Sequence, residues 1–220
     1  MKTMQANVSI WALAALLSGS TLVACAQATT GAATSGTSTA QANSSAKTVL
    51  LTPLQQTVTK IKKLVPTGDP DFDYSFQAKL HTQGIQDLLK QEIQNGKDTA
   101  FINLAKTMVP ATEADIALLD GTMRQLKPTR PNQAFTQQQS RNIEAMSLKL
   151  QQTGTSDKLT SSIDSNFSTL LLDQRQDAID MATTYLQYGN NATLKEYAQK
   201  MIDKAKQQMA QMKAMPTTPK

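Results

Sequence analysis

The sequence predicts an all-α protein, a bundle of about six helices formed by two three-helix repeats. Two observations support this fold class. Apolar residues recur at helical spacing with no sustained strand alternation. The chain also resembles itself at an offset of 93 residues, the separation of Tyr74 from Phe167 and of His81 from Gln174. Two similar units bury their apolar stripes most simply in one bundle.

The first repeat is predicted to contain three helices. Leu54, Val58, Ile61 and Val65 mark the first, which Pro66 to Pro70 ends. The second, about 72–95, places Tyr74, Ala78, His81, Ile85, Leu88 and Glu92 on one stripe, with Gly96 as its C-cap. The third, about 98–126, keeps its apolar register across Pro110, so a kinked single helix is expected.

The second repeat is predicted to have helices near 135–153, 162–188 and 192–214. The motif Leu-Gln-Gln-Thr at 54–57 recurs at 150–153. This spacing is three residues longer than the repeat offset, which indicates an insertion in the intervening loop. The core residues expected from both repeats are Ile85, Leu88, Leu119, Ile179, Met181 and Leu186.

The N-terminus has the pattern of an export signal. Lys2 precedes an apolar run at 8–17, which is shorter than the about 20 residues of a membrane-spanning helix. Leu22-Val23-Ala24-Cys25 is typical of a bacterial lipobox, which predicts a lipid-anchored cysteine at Cys25. Ordinary cleavage at an Ala-x-Ala site, at 24–26 or 26–28, is the alternative.

These features predict a periplasm-facing protein of the cell envelope, attached to the membrane through its N-terminal lipid. Ala26 is not the aspartate associated with inner-membrane retention in some Gram-negative bacteria, which favours the outer membrane. The expected organisation is a signal peptide at 1–24, a lipidated cysteine and flexible linker at 25–46, helical repeats at 47–127 and 128–215, and a disordered tail at 216–220.

Composition argues against several classes of function. The net charge of +5 comes without aromatic or base-reading motifs, so we expect no nucleic-acid binding. Cys25 is the only cysteine, which excludes disulfides and thiolate zinc sites within one chain. None of the four glutamates stands in a Glu-x-x-His motif, and nucleophile elbows and phosphate loops are lacking, so no enzyme activity is expected. A partner protein in the envelope remains open.

Three segments of the second repeat carry a family resemblance. They are Gln176-Asp177-Ala178-Ile179-Asp180-Met181-Ala182, Tyr185-Leu186-x-Tyr188-Gly189 and Leu194-x-x-Tyr197-Ala198-x-x-Met201-Ile202. This pattern resembles the bacterial domain-of-unknown-function 305 family, and a related exported family numbered 4142 has a similar helical pattern. The resemblance implies a ferritin-like helical bundle in both units, about 71–126 and 164–215. It also implies copper binding through methionines and histidines, as associated with some members.

The sequence departs from the family pattern at most of its ligand positions. The pair of adjacent histidines corresponds to His81-Thr82 in the first unit and to Gln174-Arg175 in the second. Of the family methionines, only the one at Met181 is kept. The resemblance therefore implies a ligand set that has mostly been replaced.

Two interpretations of the remaining candidate ligands are open. His81 lies on an apolar stripe, where a buried neutral histidine with Gln174 as its hydrogen-bond partner is expected. Met209, Met212 and Met215 are spaced by three, and thioethers suit Cu(I). Packing explains Met209 and Met212 equally well, since they align with apolar positions of the first repeat. We expect no cofactor, with copper at the three methionines, or at His81 and Met181, as the alternative.

Asp69, Asp71 and Asp73 have the spacing that begins a calcium loop, but Tyr74 and Leu80 replace its glycine and glutamate. We expect these aspartates to cap the following helix.

Overall fold

A computed structural model describes the backbone of residues 36–215 and the side chains of residues 45–215. The described chain forms six helices and no strand, which confirms the all-α bundle. They are α1 (Gly36–Lys62), α2 (Pro70–Asn95), α3 (Thr99–Met123), α4 (Gln133–Thr155), α5 (Ile163–Tyr188) and α6 (Ala192–Ala214). α3 runs through Pro110 as a single helix, as predicted, and the expected kink stays a prediction.

α2 and α5, the two helices with the most buried residues, occupy the centre of the bundle. α2 packs against α1, α3 and α5, and α5 packs against α1, α2, α4 and α6. Their contact is marked by the stacked rings of Tyr74 and Tyr185, whose centroids are 4.2 Å apart. The candidate site residues on α2 and α5 therefore lie on helices that are surrounded by other helices on several sides.

The helix ends follow from local sequence. Asp69 caps α2 by accepting the backbone N–H of Asp71 at 2.9 Å, and Asn132, Ser162 and Asn191 cap the last three helices in the same way. Gly68, which precedes the cap, has a φ of 81° and lies against Pro131 of the loop before α4. The turn before α2 thus packs against the loop that joins the two predicted repeats.

Four of the six predicted core residues are buried and two are not fully so. Ile85, Leu88, Leu119 and Met181 are at most 2 % exposed. Ile179 and Leu186 are only partly buried against the core. Both lie at the edge of the face that α5 turns inward, because Ala178 and Tyr185 occupy the centre of that face.

The first predicted helix needs two corrections. Val65 is 87 % exposed, since α1 ends at Lys62 and Pro66 keeps the preceding residue out of helical conformation. α1 also begins at Gly36, inside the segment 25–46 that was predicted as linker, and Ala46 is buried. Residues 40–42 are Ala-Gln-Ala, and both residue types have high helix propensity, so they extend the packed helix that follows. The predicted signal peptide, Cys25 and the predicted tail at 216–220 lie outside the described residues.

None of the helices in this part of the chain is long and apolar enough to span a membrane.

Candidate functional site

The residues predicted to correspond to the family's histidine pairs meet near the middle of the bundle. We call this set the central polar layer: His81 and Thr82 on α2, Gln174 and Arg175 on α5, and Tyr197 and Met201 on α6. All six are buried, with at most 5 % of the residue exposed. A buried polar layer is stable only if its groups bond with one another.

The partner of His81 is Gln174, the residue at the equivalent position of the second predicted repeat. The side chain of His81 is hydrogen-bonded to Gln174, as predicted, while Nε2 has no partner among the described residues. Burial lowers the pKa of His81 to about 3, and the positive charges of Arg175 and Lys149 add to the shift against the opposing hydrogen bond. His81 is therefore neutral at physiological pH.

Arg175 brings a positive charge into the same layer. Burial lowers the pKa of its guanidinium to about 10, and Tyr197 and Asp115 oppose that shift. Its NH1 group lies 4.0 Å from the Sδ atom of Met201, and Nε has no partner in the described structure. The guanidinium is thus a buried cation without a carboxylate in direct contact, which is costly.

The hydroxyl groups of the layer complete the contact between α2 and α6. Thr82 Oγ1 and Tyr197 Oη lie 3.5 Å apart. Burial raises the pKa of Tyr197 well above its usual value, so the phenol keeps its proton. Thr82 and Arg175 occupy equivalent positions of the two predicted repeats, and each faces a side chain of α6.

An ion pair lies beside the layer on α4 and α5. Lys149 Nζ is 2.7 Å from Asp177 Oδ1, and Asp177 Oδ2 has no partner among the described residues. Burial raises the pKa of Asp177 to about 6, although Lys149 lowers it in part. Lys149 is therefore a second source of positive potential near His81.

A metal ion at His81 would meet unfavourable electrostatics. A ligating imidazole nitrogen must lie about 2 Å from the metal. Arg175 and Lys149, the charges that disfavour a proton on this imidazole, equally disfavour a metal cation there. In the described residues, no three histidine, cysteine, aspartate or glutamate side chains are arranged to hold a metal ion.

Met181 lies farther along α5 than the residue that bonds to His81. Gln174, which bonds to His81, precedes Met181 by seven residues on α5, or about two helical turns and roughly 10 Å. Met181 is 2 % exposed and belongs to the hydrophobic core.

Met209 and Met212 lie near the C-terminal end of α6, and Met215 is its C-cap residue. Met212 is buried in the core, whereas Met209 and Met215 are partly buried against it. Met209 and Met212, spaced by three, are neighbours on the helix, and Met215 follows directly after its end; we call these three residues the methionine strip. Among the predicted ligands in the described residues, only Met209 and Met215 of this strip are partly exposed, whereas His81 and Met181 are buried.

The three aspartates at the start of α2 are engaged in hydrogen bonds within the protein. Asp69 caps its own helix and also accepts the N–H of Thr129 at 2.6 Å. Asp73 turns back to bond Thr67 and Gly68. Asp71 accepts three hydrogen bonds from the end of α5 and the loop after it. All three aspartates were expected to cap α2, but only Asp69 does so. The bonds of Asp71 were not predictable, since the chain order alone does not place α5 beside α2.

The comparison with known families agrees with the predicted resemblance. Residues 118–216 match the family described as domain of unknown function 305, a segment that contains α4, α5 and α6. No curated protein and no solved structure matches the chain. The match covers the predicted second repeat, and the resemblance of the first repeat stays a prediction.

Proposed function

We propose that this protein is a non-enzymatic, lipid-anchored component of the cell envelope with a binding or structural role. The single structural observation that supports the binding or structural role is the content of the central polar layer. At the positions where the family pattern has histidine pairs, the chain has one neutral histidine, two uncharged partners and a buried arginine. These groups bond across α2, α5 and α6 and so fix how the helices pack, which suits a structural role.

The lipid anchor rests on the sequence Leu22-Val23-Ala24-Cys25. Changing Cys25→Ser removes the thiol that would carry the lipid, and the protein should then leave the membrane fraction or remain unprocessed. Gln27→Ser is a matched control, because it alters a neighbouring polar residue and leaves the cysteine. Normal processing and unchanged membrane fractionation of the Cys25→Ser protein would refute the anchor.

A second candidate function is binding of Cu(I) by Met209, Met212 and Met215. The partial exposure of Met209 and Met215 beside the buried Met212 supports it, because a metal could reach this strip without opening the core. Cu(I) prefers soft thioether ligands. Three thioethers would supply the ligands without His81.

Competition titration of the purified protein with Cu(I) separates the two functions. Met212→Leu combined with Met215→Leu keeps apolar volume and removes two sulfur atoms, so it should weaken binding under the copper hypothesis. Met123→Leu is the control, since Met123 is also partly buried at a helix end. Equal, weak binding by all proteins favours the structural role, and a submicromolar affinity lost only in the double variant favours copper.

A further inference from the structure

Hydrogen bonds between the two predicted repeats recur at the ends of the central helices. Asp71 at the start of α2 accepts the backbone N–H groups of Asn190 and Asn191, in the loop after α5, at 2.9 and 3.1 Å. Asp164 at the start of α5 accepts those of Lys97 and Asp98, in the loop after α2, at 2.9 and 2.8 Å. Every residue of the second set stands 93 residues from its counterpart in the first, the predicted repeat offset.

Each aspartate also meets one side chain from the last turn of the opposite helix. Tyr185 donates its phenolic O–H to Asp71 at 2.6 Å. The residue at the same position in the first repeat is Glu92, whose carboxyl group interacts with that of Asp164. A glycine follows each of them by four residues, Gly189 and Gly96, and a Cβ atom at either glycine would collide with the side chain concerned. The two arrangements therefore match in backbone and in side-chain placement.

The comparison with Tyr185 indicates that the carboxyl group of Glu92 is protonated. A carboxylate has no hydrogen to donate, and two carboxylates cannot share a hydrogen bond without one. Glu92 is fully buried, and neither of its oxygens receives a hydrogen bond from a donor in the described residues. To do for Asp164 what the phenol of Tyr185 does for Asp71, Glu92 must carry an O–H group.

The surrounding charges favour this proton on Glu92 and not on its partner. The charged groups that act on Glu92 are Asp164 on α5 and Asp98 at the start of α3, both acidic, while Lys97 of the same loop is exposed. Burial and these groups raise the pKa of Glu92 to about 8. Burial acts to raise the pKa of Asp164. The hydrogen bonds from the N–H groups of Asp98 and Lys97 and the interaction with Glu92 outweigh it, so the pKa of Asp164 is lowered.

We propose that Glu92 is a protonated hydrogen-bond donor that latches the loop between α2 and α3 onto Asp164, and that alkaline solution releases this latch. Loss of the proton leaves two facing carboxylates at the helix junction. The equivalent latch at Asp71 keeps its donor, because burial and Asp71 raise the pKa of Tyr185. The protein thus has one pH-sensitive and one pH-insensitive version of the same contact.

The direct test is an NMR titration of the protein between pH 6 and 10 with labelled glutamate side chains. One glutamate carboxyl carbon should titrate near pH 8, and Glu92→Gln should remove that signal. The amide signals of Lys97 and Asp98 should shift over the same range, while those of Asn190 and Asn191 should not. Absence of a glutamate titrating above pH 7, or equal responses of the two loops, would overturn the proposal.

Stability provides a second measurement. The raised pKa of Glu92 in the folded protein means that its contribution is present at low pH and is lost as pH rises through about 8. The urea midpoint of the wild type should fall between about pH 5 and 8 and level off above pH 8, and Glu92→Gln, which donates N–H at any pH, should remove this fall. Glu113→Gln alters an exposed glutamate and should keep it. If Glu92→Gln does not fold, the comparison of the two loops in the wild type decides.

Discussion

Replacing Arg175 with methionine should stabilise the protein. The substitution removes a buried cation and keeps an unbranched, flexible side chain that fills most of the same space. Asp115, the carboxylate that acts on Arg175, would retain Lys204 as its partner at 3.2 Å. The change therefore leaves no new unpaired charge, the usual reason that such substitutions destabilise.

The size of the effect follows from the pKa of the guanidinium. Burial moves it from 12.5 to about 10, a difference of 2.5 that already contains the favourable effects of Tyr197 and Asp115. At 1.36 kcal/mol per unit, charging Arg175 in place costs about 3 kcal/mol. Lost packing offsets part of this, so we expect a gain of about 1–3 kcal/mol in the free energy of unfolding.

Urea denaturation followed by circular dichroism at neutral pH measures this gain. Arg141→Met is the control, because Arg141 is exposed and its removal should change stability by less than about 0.5 kcal/mol. A loss of more than about 1 kcal/mol in Arg175→Met would refute the reasoning. It would mean that contacts of the guanidinium compensate for its burial.

Three further predictions concern other buried side chains. His81→Gln should cost about 1 kcal/mol, because an amide can remake an imperfect hydrogen bond to Gln174, and it should leave Cu(I) affinity unchanged; a large loss of affinity in titration would show that His81 is a ligand. Leu88→Ala should cost about 2–5 kcal/mol in urea denaturation, since Leu88 is fully buried; near-neutral stability would mean that the site collapses around the cavity. The raised pKa of Asp177 means that its contribution is present at low pH and is lost as pH rises through about 6. Asp177→Asn should therefore flatten the change in urea midpoint between pH 4 and 7, and an unaltered profile would contradict this assignment.

The helices were largely predictable because their boundaries are local. Asp69, Gly96 and Ser162 lie at helix ends and act through residues within one turn. The apolar stripe of α2 likewise identified Ile85 and Leu88 as core residues. Val65 was misassigned because its apolar spacing continued the stripe although Pro66 ends the helix before it.

The central polar layer was only partly predictable. The repeat offset placed Gln174 opposite His81, since both occupy equivalent positions on helices that cross at the centre. Nothing in the sequence places the charge of Arg175 inside the bundle, because arginine is mostly exposed in folded proteins. Glu92 did carry a signal, as the one glutamate on the apolar stripe of α2. Its partner Asp164 lies on another helix, which only the tertiary structure brings near.

The exchange of hydrogen bonds at Asp71 and Asp164 has a consequence for how this chain could have arisen. The loop of each three-helix unit is tied by an aspartate that belongs to the other unit. A chain with only one unit would leave its own loop untied unless a second copy supplied the aspartate. A single-unit ancestor with these contacts would therefore have been a symmetric dimer, and joining two copies in one gene would have made that association permanent. The two latches could then diverge, one keeping an aromatic donor and the other an acid.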